Sequence, residues 1–270
     1  MKIYSKYLVL AIVMGILQTL FYSRTNVPIL FSDLIFVLSF YKPIFYITAI
    51  MEMVAKLIPA FLFQIIYGTY IYRHFCSAGI YFFSRCSNRR KWFLKEALKL
   101  YGYSVLYLFT MTSASTAFCL INFEVHFDKG SLYLVICFLI IYSLWYYIAA
   151  LSINIIAIVA GSQYSFVIIA GVQLILTLML TIFDTWMPFE NNVPMNKIIL
   201  QLNPISHLVI SWHSSKLAYI NKLINTWNIN FSFNISFAYL GLIALISTVV
   251  GINIINNKQF IITNNETGGI

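Results

Sequence analysis

Residues 71–101 read IYRHFCSAGIYFFSRCSNRRKWFLKEALKLY, a polar, basic island between apolar runs. Arg73, His74, Arg85, Arg89, Arg90, Lys91, Lys95 and Lys99 stand here against one acid, Glu96, in a chain that is otherwise mostly apolar. Lys and Arg flanking apolar runs are retained on the cytoplasmic side of a membrane, so the island marks that side. From Arg90 the pattern turns helical. Lys91, Lys95 and Lys99 recur at i, i+4 and i+8 on one face, while Trp92, Leu94, Ala97, Leu98 and Tyr101 cover the others. The simplest reading is a basic amphipathic start that runs directly into a membrane span.

Working outward, the composition is that of a polytopic membrane protein. Hydrophobic residues make up 61% of the chain and charged residues 9%, with a mean hydropathy of +0.84. The 270 residues hold about six spans of roughly 20 residues each plus loops, and leave no room for a second, soluble domain. The formal charge of +9 sits between apolar runs, where it serves topology and anionic headgroups; nucleic acid is not expected as a partner. Cys76, Cys86, Cys119 and Cys137 are scattered, with no CxxC spacing for zinc. His207 and His213 are six apart and do not share a helical face, which argues against a metal site.

The spans are expected at about 7–22, 51–72, 98–121, 132–156, 164–183 and 233–255, within a single transmembrane domain covering 1–270. Residues 73–97 are then cytoplasmic, 184–232 extracellular, and both termini lie inside. Segment 26–50 is broken by Pro28, Asp33, Lys42 and Pro43, so it reads as an interfacial or re-entrant piece on the outside, with a true extra span as the lesser alternative. Glu52 and Lys56, acid first at i, i+4, suit a helical ion pair. Thr110, Thr112, Ser113, Ala114, Ser115, Thr116 and Ala117 form a small, hydroxylated cluster that favours close helix packing, with the lining of a pathway as the second reading. No GxxxxGK[ST], HExxH or GxSxG motif occurs, so the chain is read as no enzyme, with no cofactor of its own.

In this arrangement the chain resembles the permease subunit of ABC-2-type (type V) ABC exporters, in a small standalone bacterial form. Two local features carry the resemblance. Phe83-Ser84-Arg85 followed by Ser87-Asn88-Arg89-Arg90-Lys91-Trp92 is similar to that family's coupling-helix region, and Leu202-Asn203-Pro204-Ile205-Ser206 is similar to the Asn-Pro near its outer re-entrant hairpin. The resemblance implies an all-α protein of six transmembrane helices, a cytoplasmic coupling helix between spans 2 and 3, and a re-entrant hairpin before span 6. Ser84, Arg85, Arg89, Arg90 and Trp92 are then the ATPase-coupling residues, Asn203 and Pro204 the outer motif. It further implies an ATP-binding cassette ATPase subunit as partner, holding ATP and Mg, and a second permease chain, identical or not. The expected site of action is the bacterial cell membrane, among its lipids. The expected substrate is amphipathic: a secreted or antimicrobial peptide first, a lipid-like molecule behind it. An ion-gradient-driven transporter or channel, and a membrane sensor or assembly protein, are the alternatives.

Overall fold

The computed structural model describes residues 2–22, 29–40, 47–81, 88–186, 194–225 and 229–257. Its elements are helices α1 (Lys2–Tyr22), α2 (Phe31–Leu38), α3 (Ile47–Tyr67), α4 (Tyr70–Tyr81), α5 (Arg89–Asn122), α6 (Ser131–Ala160), α7 (Ser162–Trp186), α8 (Pro194–Leu202), α9 (Ala218–Ile224) and α10 (Phe233–Asn257). Two parallel two-stranded pairs join distant loops: β1 (Ile29–Leu30) with β2 (Val125–His126), and β3 (His213–Ser214) with β4 (Phe231–Ser232). Among the described residues five helical stretches are long and apolar enough to cross a membrane: Val54–Cys76, Arg89–Asn122, Ser131–Ala160, Ser162–Leu180 and Phe233–Asn257; Leu8–Leu20 is a shorter apolar helix. This is the architecture of an all-α membrane protein.

Helix α6 is the hub. Of its apolar stretch 72% is buried, against 22% for α7 and 22% for α10, so the last two turn most of their surface outward. Val167, Ile175 and Met179 on α7 are exposed, as the solvent of a membrane helix is apolar. Helix α1 lies against α5 at backbone distance because position 15 is glycine: a Cβ there would overlap the Met111 carbonyl. The Gly15 carbonyl accepts hydrogen bonds from Thr19 Oγ1 and Ser115 Oγ, both at 2.8 Å. The hydroxylated cluster of α5 therefore packs closely on one side.

The stretch expected as one span at 51–72 is divided. Pro59 has no N–H to give the Ala55 carbonyl, and Gln18 Nε2 approaches that carbonyl at 3.5 Å instead. At Gly68 and Thr69 the helix breaks between α3 and α4. Asn154 of α6 fills the break: its Oδ1 accepts from the backbone N–H of Ile71 (2.7 Å) and Tyr72 (3.1 Å), and its Nδ2 donates to the carbonyls of Tyr67 (3.1 Å) and Ala150 (2.8 Å). One amide thus satisfies three of the backbone groups that the break would otherwise leave bare in an apolar interior.

The island 73–97 is found as helix ends: 73–81 completes α4, and 89–97 opens α5 without interruption. Residues 82–87 lie outside the described residues, so Ser84 and Arg85 are not placed. Of segment 26–50, residues 29–40 form β1 and the eight-residue α2, far too short to span and largely buried.

Candidate functional site: a basic end and a capped end

The two ends of the bundle differ in chemistry. At one end Asn88 caps α5, its side chain accepting from the Lys91 N–H at 3.1 Å. Arg90, Lys91 and Lys95 are exposed on the following turns, and Arg89 is partly so. Glu96 is buried and ties the end together, accepting from Lys99 Nζ at 2.6 Å and meeting His74 Nδ1 of α4 at 3.2 Å. Trp92 is half-buried, its ring centroid 6.2 Å from that of Phe75 on α4. Phe93 is fully buried and faces Gly251 of α10, where any Cβ would collide with its ring. Arg89, Arg90 and Trp92 thus stand on a rigid platform formed by α4, α5 and α10.

The opposite end is covered by two chain segments folded back onto the bundle. In 29–40, Ser32 N–H donates to Asp128 Oδ1 at 3.0 Å, and Phe40 forms an isolated bridge with Val209 of the other segment. The second segment, 194–232, runs from α8 through two short 3₁₀ turns, Ser206–Leu208 and Ile210–Trp212, to β3, α9 and β4. Residues 205–213 are all buried, which a mere surface loop would not be. Tyr142 of α6 joins both segments: its hydroxyl donates to the Leu208 carbonyl at 2.9 Å and accepts from the Phe40 N–H at 3.1 Å.

Lys56 is 7% exposed, and its ammonium donates to the carbonyls of Phe36 (3.0 Å) and Ser39 (2.5 Å) while lying 3.8 Å from Glu52 Oε1. The cation sits at the C-terminal end of α2, where the helix dipole and unpaired carbonyls favour it. Pairing with Glu52 was the role legible from spacing; the clamp on α2 was not. Asn203 and Pro204 form the corner after α8. Asn203 Nδ2 donates to the Leu176 carbonyl of α7 at 2.8 Å, and its Oδ1 accepts from the Ile205 N–H at 2.9 Å, an Asx turn that anchors the corner.

Between α2, α5 and α6 lies an open cavity of about 320 Å³ lined by Leu34, Ile35, Phe109, Thr112, Thr116 and Val135, among others. Thr112 and Thr116 bond back to the carbonyls of Leu108 and Thr112 at 2.9 and 2.8 Å, so the hydroxyls offer little to a ligand and the groove is effectively apolar. The hydroxylated cluster therefore divides its work, Ser115 packing against α1 and Thr112 and Thr116 lining the groove.

Sequence reasoning treated His207 and His213 as isolated, and the fold brings them together on Ser236 of α10. No short-range pattern signals this, because the corner at Asn203-Pro204 and the β3–β4 pairing create the proximity. No group of three or more metal-ligating side chains occurs among the described residues.

Fold and ends together define an all-α membrane protein with a basic, helix-borne platform at one end and a folded cap at the other. No family model, curated protein or solved structure matches the chain.

Proposed function

We propose that this chain is the membrane-spanning subunit of an ATP-driven exporter of the ABC-2 type, crossing the bacterial cell membrane six times with α1 as the first pass. The basic end and both termini face the cytoplasm, a second permease chain pairs with it, and a separate ATP-binding cassette ATPase docks on the basic platform. One observation carries this reading: α5 runs unbroken for 34 residues from Arg89 to Asn122. At 1.5 Å per residue it is about 51 Å long, against roughly 30 Å of hydrocarbon, so its basic first turns extend into water on the same rigid rod that crosses the bundle. A partner bound to Arg89, Arg90 and Lys91 moves α5 as a body, and with it the groove walls at Phe109, Thr112 and Thr116.

The apolar, open groove supports an amphipathic substrate, a peptide before a lipid-like molecule. The test is reconstitution of the chain with an ABC-type ATPase encoded beside it, in proteoliposomes. Amphipathic helical peptides are expected to raise ATP hydrolysis several-fold and to accumulate in vesicles whose ATPase faces outward. Uptake that follows an imposed ion gradient without ATP would replace this reading by a gradient-driven transporter.

A further inference from the structure

The buried trio at the capped end holds a hydrogen-bond problem whose solution depends on protons. His207 Nε2 lies 2.8 Å from the Gln201 carbonyl and His213 Nδ1 lies 3.0 Å from the Val209 carbonyl. Their other nitrogens, His207 Nδ1 and His213 Nε2, both lie 2.8 Å from Ser236 Oγ. Carbonyls only accept, so each imidazole must turn an N–H toward its carbonyl. Ser236 then has one proton for two contacts. With both imidazoles neutral, three protons serve the four contacts; one added proton completes the set, and a second sets two imidazolium N–H groups on Ser236 Oγ and turns its own hydroxyl proton away from both.

All three residues are at most 1% exposed. His213 stacks on Phe233, centroids 4.4 Å apart, and His207 on Tyr239 at 4.5 Å, while Phe231 contacts both rings. Among the described residues Tyr239 is the one other titratable side chain in ring contact with the pair, and its hydroxyl donates to the Leu202 carbonyl at 2.5 Å. Among the described residues no carboxylate forms an ion pair with either imidazole; the titratable group acting on His213 is His207 itself. Lys216 and Lys222, on the same segment, are not buried with the pair. The positive end of the α10 dipole also disfavours a cation at Ser236.

We propose that His207, Ser236 and His213 form an acid-released latch, which fixes segment 194–232 to the first turns of α10 at neutral pH and frees it when the imidazoles take up protons. The sign follows from the second proton. Latched, it places two imidazolium charges side by side on one buried hydroxyl; released into water, the pair takes both protons once the pH is below about 6.5. The released form therefore binds more protons, and acid favours it. Burial acts in the same direction. It pushes His207 below the usual imidazole range and His213 down to about 3, with hydrogen bonds to the Gln201 and Val209 carbonyls opposing in part. The latch is at full strength above pH ~6.5 and weakens as pH falls through that value. With two protons taken up per release, the latched-to-released ratio falls by up to ~100-fold per pH unit; with one, by up to ~10-fold.

The test is hydrogen exchange of the full chain in lipid nanodiscs between pH 7.5 and 5.0, corrected for the intrinsic pH dependence of exchange, with α6 amides as internal reference. Protection of 205–213 is expected to fall steeply below pH 6.5 while α6 stays protected. In His207→Asn the slope is expected to drop toward one proton, and in His207→Asn/His213→Asn to vanish. Flat or rising protection of 205–213 in the wild-type chain on acidification would overturn the latch, whatever the variants do. So would a parallel loss in α6, which signals general acid unfolding, or an undiminished slope in the double variant.

Discussion

Asn154 shows how much a single residue carries in an interior without water. It makes three hydrogen bonds across the α3–α4 break and a fourth to the Ala150 carbonyl of its own helix, and each buried backbone group left unpaired costs about 1–3 kcal/mol. Asn154→Leu is expected to lower stability by about 2 kcal/mol or more in denaturation from mild detergent, whereas Asn154→Asp, which still accepts from Ile71 and Tyr72, loses less. Equal stability of all three proteins would remove Asn154 from the account. Gly15 is the second such position: Gly15→Val pushes a side chain into the α5 backbone and is expected to separate α1 from α5, at about 1–3 kcal/mol. Accelerated proteolysis within α1, with α6 and α10 still protected, is the readout. Neither role is legible in the sequence. Asn154 reads there as one uncharged polar group in an apolar run, because its partners lie at the break between α3 and α4; His207, His213 and Ser236 read as unrelated, because the corner at Asn203-Pro204 and the β3–β4 pairing bring them together.

At the scale of elements, hydropathy located the long helices. The apolar runs near 98–121, 132–156, 164–183 and 233–255 fall within α5, α6, α7 and α10. Short elements were harder: α2 has only eight residues, in a segment interrupted by Pro28, Asp33, Lys42 and Pro43, and Lys56 and α6 hold it in place. The spacing of Glu52 and Lys56 suggests that the two depend on each other; the geometry ranks them. Lys56→Met leaves the carbonyls of Phe36 and Ser39 without the charged donor, and α2 amides are expected to lose hydrogen-exchange protection by at least ~10-fold, in line with ~1.5–3 kcal/mol for a charged hydrogen bond. Glu52→Gln, at a 3.8 Å pair with Glu52 25% exposed, is expected to change protection by less than ~1 kcal/mol. A larger effect from Glu52→Gln than from Lys56→Met would reverse the assignment.

For the molecule as a whole, the sequence made the membrane class plain through its 61% hydrophobic content and its single basic island. The spacing of Lys91, Lys95 and Lys99 already indicates a basic helical start that runs into the next span, and α5 is continuous from Arg89; what the sequence could not show is how that start is seated, Phe93 against Gly251 and Glu96 gathering Lys99 and His74. That continuity is the basis for proposing that force applied at the basic end reaches the groove beside Phe109. Leu98→Pro breaks the rod between the two. It is expected to preserve ATPase binding while abolishing peptide-stimulated hydrolysis; retained stimulation would show that α5 is not the connecting element.

The proposal of a permease driven by a separate ATPase at the basic end is put to the test by affinity purification after co-expression with any ABC-type ATPase encoded next to its gene, followed by native mass spectrometry. The account predicts a complex of two permease chains and two ATPases for the wild-type chain, and permease without ATPase for Arg89→Glu/Arg90→Glu at unchanged helical content. A chain that purifies without any ATPase, or a charge-reversed variant that keeps its full complement, would contradict it.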